Sequence, residues 1–248
     1  MMLSESTVSK LHDMKLSVMA KTFKAQMNDC NISALSFEER FGLIVDEEWV
    51  ARKNNRLTRL IRNANYDIPN ACVEDIEYHA DRKLNKDMIT RLATCNYIES
   101  RSNIIIMGAT GNGKTYLANA FGMAASRNFY TVKYIRLPEL LGELAVARGE
   151  GRYQKVIKQY KHVRLLILDE WLLFPLSTTD AVEVLEIVNA RHKRASTIFC
   201  SQFPTEAWHD KIGEPAVADA ICDRIVHDSY VILIHGDGMR KRKGLKDD

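Results

Sequence analysis

The chain has 248 residues, 46% of them hydrophobic and 27% charged, with a formal charge of +3. That length suits one large domain or a core with a small accessory domain, and the composition excludes a disordered chain. So mild a charge leaves any nucleic-acid contact to the distribution of Lys and Arg, not to their total.

Residues 8–29 place Val8, Leu11, Leu16, Met19, Phe23 and Met27 at mostly helical spacing among four lysines, which predicts a helix. A break over Asn28–Ser33 follows. Ser36 with Glu39 makes a capping-box pattern that opens a second helical stretch running to Arg62, weakened early by Gly42. Together these predict a helical hairpin and an all-helical N-terminal domain over residues 1–66, expected to serve oligomerisation, a partner or DNA. Residues 64–76 carry Pro69, several turn formers and no clear period, and mark the domain boundary. Short apolar runs then alternate with helical segments, at Ile104–Met107, Thr131–Ile135, Leu165–Leu168, Thr197–Cys200 and Tyr230–Ile234. The alternation predicts an α/β domain over 67–248, with a mostly parallel sheet covered on both faces.

Gly108–Ala109–Thr110–Gly111–Asn112–Gly113–Lys114–Thr115 fits G-x-x-x-x-G-K-[ST] in full, between a predicted strand and a predicted helix. Its glycines let the chain wrap so that backbone N–H groups point at phosphate oxygens. Lys114 can reach the β- and γ-phosphates, Thr115 can join a Mg²⁺ shell, and the helix adds its positive end. Tyr116, next on that helix, is counted with the nucleotide-binding residues.

The run Leu165–Leu168 delivers Asp169 and Glu170 to the C-terminal edge of a buried strand. Asp169 is placed to orient Mg²⁺, and Glu170 to polarise a water for attack on the γ-phosphate. Gln202, or alternatively Ser201, ends the strand near 197–200 and can contact the γ-phosphate or that water. Arg224 lies beside Ile221 and Ile225; it reads either as an ordinary salt-bridged arginine or as a finger offered to a neighbouring subunit's ATP.

Cys30, Cys72, Cys95, Cys200 and Cys222 show neither C-x-x-C nor zinc spacing, which predicts buried thiols in a reducing compartment. No apolar leader opens the chain and no segment suits a membrane span, so a cytoplasmic protein is expected.

At this point the sequence resembles the AAA+ ATPases, in the group that includes bacterial helicase loaders. It is more closely similar to the IstB-like ATP-binding proteins, transposition helpers encoded beside an insertion-sequence transposase. The resemblance rests on GATGNGKT (108–115), VKYIRLPELL (132–141), LLILDE (165–170), STIFCSQFPTEAW (196–208), ADAICDRIVH (218–227) and the tail HGDGMRK (235–241). It implies an AAA+ P-loop core, ATP hydrolysis with Mg²⁺, homo-oligomers on duplex DNA and a cognate transposase. It makes Lys114 and Thr115 the Walker A pair, Asp169 and Glu170 the Walker B pair, and Arg224 the intersubunit arginine. Gln202 stands where the family's sensor is usually asparagine, and Gly238 where serine is common, leaving Arg240 as the recognisable tail group. The chain after Tyr230–Ile234 is too short for a helical lid, as an IstB-like protein is expected to be.

For DNA, Arg52, Arg56, Arg59 and Arg62 fall on one helical face, with Val50, Leu57 and Ile61 opposite. That pattern reads either as a phosphate-binding face or as a solvated or ion-paired one. Lys133, Arg136, Arg148 and Arg152 are further candidates for a central channel, the last two in the glycine-marked loop AVARGEGRY. No recognition module is evident, so DNA contact is expected to be to phosphates and largely sequence-independent. The alternative functions are a replicative helicase loader, a DNA-coating scaffold that seldom hydrolyses ATP, and a small-molecule kinase, which the missing lid disfavours.

Overall fold

The computed structural model describes residues 2–29, 32, 34–236, 238 and 239; Cys30 and the basic tail from Arg240 lie outside the described residues. Two compact units divide the chain, Met1–Arg59 and Leu60–Asp248.

In the first unit the stretch expected as one helix is two, α1 (Met2–Asp13) and α2 (Ser17–Met27). Lys15 adopts a left-handed φ of 59°, and the Leu16 N–H donates to Leu11 O, so the chain turns without glycine or proline. α3 (Phe37–Ala64) opens with the expected capping box: Ser36 N–H donates to Glu39 Oε2 at 2.8 Å and Glu39 N–H to Ser36 Oγ at 3.2 Å. Glu48 is buried on α3 and accepts the Val18 and Met19 N–H groups, each at 3.0 Å. A carboxylate there meets unpaired donors and the positive end of α2. The division falls inside α3, just before the expected boundary at 66; Ala64, on the helix's last turn, is buried in the second unit's core.

The second unit is a five-stranded sheet in the order β2-β3-β4-β1-β5, every pairing parallel. Its strands are β1 (Asn103–Gly108), β2 (Val132–Arg136), β3 (Leu165–Trp171), β4 (Ser196–Ser201) and β5 (Ser229–Ile234). Alternation along each strand splits the core in two. Ile104 and Ile106 pack with α4 (Lys86–Ala93), α5 (Asn96–Glu99) and α6 (Lys114–Arg127). Ile105, Leu166, Leu168 and Phe199 pack on the other face with α7 (Leu137–Gly149), α8 (Tyr153–His162), α9 (Thr178–Arg191), α10 (Trp208–Ile212) and α11 (Pro215–Val226). Burial on both faces is why the strands read as continuous apolar runs.

The loop expected at AVARGEGRY is largely helix: α7 runs to Gly149, so Arg148 sits in its last turn, and Gly151 makes the turn with φ 70°. Cys95 and Cys200 are buried, whereas Cys72 and Cys222 are only half-buried. No helical lid follows β5 among the described residues. None of their helices is long and apolar enough to cross a membrane.

Candidate nucleotide-binding site

β1 ends where the glycine-rich loop begins. A Cβ on Gly108 would stand 2.6 Å from Ile234 O, so only glycine lets the loop leave β1 this close to β5. Gly113, at φ 90°, turns the chain into α6. Lys114 is buried, and its Nζ donates to Gly108 O at 2.8 Å and Ala109 O at 2.9 Å, folded back over the loop it belongs to. Thr110 Oγ1 donates to Gln202 Oε1 at 2.8 Å.

Across from the loop, Asp169 is buried and organises three donors. Its Oδ2 accepts Thr115 Oγ1 at 2.7 Å and the Tyr134 hydroxyl at 3.0 Å, and its Oδ1 accepts the Glu170 N–H at 2.8 Å. Burial, and then the Asp169 charge, push the Tyr134 phenol far above its ordinary range, so it stays a donor. Glu170 follows at φ 53°, where the β3–β4 register shifts between Leu168 and Trp171. This kink sits beside the phosphate loop, and Glu170 keeps 38% of its side chain exposed while Asp169 does not. β4 lies between β1 and β3, so its end delivers Gln202 between the loop and the acidic pair. Ser201 is not available there: its hydroxyl donates to Trp171 O and accepts the Phe203 N–H, both at 3.1 Å.

A cavity of about 530 Å³ adjoins the loop, lined by Ile76, Glu77, Arg82, Leu84, Gly113, Tyr116, Leu117 and Met239. Its mainly apolar wall beside the loop suits a nucleoside. Of these residues only Gly113 and Tyr116 were expected from the sequence. The segment 75–84 and Met239 carry no local motif and reach the site only through the fold. Tyr134 was missed too, although its alternation with Val132 marks a buried face on which a hydroxyl needs a partner.

The remaining expected residues are scattered. Arg224 donates to Ala220 O at 2.7 Å and lines a crevice with Asn103, Leu166 and Thr197, which stand at the starts of β1, β3 and β4. It is therefore at the sheet edge opposite its own phosphate loop. Arg136, paired in register with Asp169, sits 3.1 Å from Asp67 and 3.9 Å from Glu170, at the acidic pair itself. Arg148 pairs with buried Glu183 and lies over the Tyr153 ring, and Arg152 pairs with Glu150. Arg52 pairs with Glu48 at 2.6 Å and donates to Lys15 O, so it neutralises the carboxylate that holds α2. Arg56, Arg59 and Arg62 are exposed on α3 and Lys133 is half-buried on β2, whereas Val50, expected on the docked face, is 46% exposed.

A parallel sheet in this order, with the phosphate loop after β1 and the acidic pair ending β3, makes the protein a P-loop ATPase of the AAA+ class. The family model described as IstB-like ATP binding protein matches residues 9–247, and the chain belongs to that family. It is 39% identical to the putative insertion sequence ATP-binding protein y4pL of Sinorhizobium fredii, over 99% of this chain and 100% of that one. A second protein of that organism and description, y4uH, is 38% identical over 97% and 96% of the two chains. Among solved structures, that of DnaI is similar in fold with a TM-score of 0.58 at 22% identity, covering 69% of this chain and 91% of that one.

Proposed function

We propose that this protein is an ATP-hydrolysing transposition helper that assembles on duplex DNA and recruits or stimulates a transposase. The observation that carries the catalytic part is the array Thr115–Asp169–Glu170 set against the phosphate loop, with Gln202 bonded to that loop. Lys114 leaves the Gly108 and Ala109 carbonyls for phosphate oxygens, joined by the N–H groups at the head of α6. Glu170 orients and deprotonates the attacking water, and the Gln202 amide holds that water or the γ-phosphate. Arg224 acts in a neighbouring subunit's site, since its position opposite its own loop suits no role in cis.

Thr115 and Asp169 offer Mg²⁺ one hydroxyl and one carboxylate. No cluster of three His, Cys, Asp or Glu among the described residues offers a metal cage. That set fits an ion completed by water and phosphates, and when bound it offsets phosphate charge.

Transposition is supported by family membership and by the insertion-sequence names of the relatives. DNA contact is supported by α3, where residues 49–66 hold five Arg or Lys and no Asp or Glu. Arg56, Arg59 and Arg62 carry it, with Lys133 a weaker candidate. Arg52, Arg136, Arg148 and Arg152 hold carboxylates and are subsidiary. Electron microscopy of the protein with duplex DNA, comparing a non-hydrolysable ATP analogue with ADP, tests the assembly. Oligomers enclosing duplex only with the analogue are expected. Monomers with both nucleotides would refute it, and a preference for single strands would favour helicase loading.

A further inference from the structure

The chain has three tryptophans, and two of them, Trp171 and Trp208, are completely buried. Trp49 is 56% exposed on α3. Lys53 holds its ammonium 3.7 Å from the indole centroid, and Arg56 follows on the same side. At helical spacing Trp49, Lys53 and Arg56 fall within an arc of about 60°. α3 buries other positions, Ile44 and Glu48, so this arc is turned away from the unit's core.

The charge over 49–66 says what covers such an arc. Arg52 is committed to Glu48, and Asp46 is exposed one turn before Trp49. Five cations against Asp46, Glu47 and Glu48 still leave this part of α3 net positive, which repels a second copy of the same face and attracts a polyanion. Phosphates account for Lys53 and Arg56 but give an indole nothing. A base face does, either where a strand is unpaired or where a side chain wedges into a kinked step. We infer that Trp49 is a base-stacking residue of the α3 surface, and that its ligand is DNA with unstacked or unpaired bases. The inference rests on the DNA-binding part of the proposed function. Lys53 moves from the ring to a phosphate as the base arrives.

The test uses the full chain with the non-hydrolysable ATP analogue and two duplexes, one fully paired and one with a two-nucleotide bulge, over a salt series. Trp49→Ala is expected to weaken binding to the bulged duplex by about tenfold, with Trp49→Phe retaining most of the affinity. The slope of log affinity against log salt stays as in wild type for Trp49→Ala, whereas Lys53→Ala lowers it by about one. Tryptophan emission should be quenched by bulged DNA in the wild type and not in Trp49→Phe, because the other two indoles are buried. Circular dichroism checks that the variants fold. Wild-type binding of both duplexes by Trp49→Ala overturns the inference and leaves DNA binding standing. No binding of either duplex by the wild type overturns both. A changed oligomeric state of Trp49→Ala without DNA, at unchanged DNA affinity, assigns the residue to a protein contact and also overturns it.

Discussion

Glu170→Gln separates chemistry from binding and from folding. The carboxylate makes no hydrogen bond to the phosphate loop; its charged neighbour is Arg136 at 3.9 Å, with both side chains more than a third exposed. An ion pair that open is worth about 0–1 kcal/mol, so melting should shift by less than about 4 °C. Glutamine keeps the length of the side chain and bears the left-handed backbone of position 170 at no greater cost. A general base, by contrast, contributes about 10²–10⁴-fold to the chemical step, or roughly 3–5 kcal/mol of barrier. Phosphate release in a single turnover should therefore slow by at least a hundredfold, while ATP titrated into the same preparation binds within a few-fold of wild type. Turnover within threefold of wild type would refute the role given to Glu170. Loss of ATP binding would show instead that the kink at the end of β3 shapes the phosphate loop.

Lys114→Ala should abolish high-affinity ATP binding, since it removes the ammonium that bonds the loop carbonyls of Gly108 and Ala109 at 2.8 and 2.9 Å; nucleotide titration of the folded variant reads this directly. Mixing Arg224→Ala with Lys114→Ala subunits should restore part of the hydrolysis that each lacks alone, and its absence in proven mixed oligomers counts against a trans arginine. Arg148→Ala should cost about 1–2 kcal/mol, below the fully buried figure because the guanidinium is half exposed, by stranding the Glu183 carboxylate. Burial already holds that carboxyl above the ordinary carboxylate value of 4.5, so the folded state takes its proton first as pH falls. The Arg148→Ala deficit should accordingly be greatest at neutral pH and shrink toward 4.5, as urea melts at a series of pH values would show.

Legibility in the sequence follows sequence distance. The phosphate loop and the acidic pair are contiguous and sit at the ends of apolar runs, so both the residues and their elements can be read directly. Tyr134 meets Asp169 from another strand, and Arg82 and Met239 meet the loop from opposite ends of the second unit; only the sheet order brings them together. Arg136 shows the converse. As a cation beside Lys133 it reads as a phosphate contact, yet its register opposite Asp169 commits it to the acidic pair. In the first unit, Lys15 turns the chain between two helices where the apolar spacing continues almost unbroken, and a left-handed lysine leaves no mark in that pattern.

The cavity beside the phosphate loop is walled without a helical lid among the described residues, and the hydrogen bonds say how. The Met239 N–H donates to Gly111 O at 2.8 Å, which brings its side chain to the cavity wall. Buried Asn112 donates through Nδ2 to Ile234 O and Gly236 O, each at 3.2 Å. Arg82 donates to Asn112 O at 2.9 Å, while its own carbonyl accepts the His235 N–H at 3.1 Å. Arg82 and the residues that follow β5, far apart in sequence, are thus braced against one loop. Position 112 is one where the loop pattern allows any residue, but the two acceptors facing it are both carbonyls. Aspartate would set a buried carboxylate against them with no donor to offer, so the amide is what lets the end of β5 close over the phosphate loop.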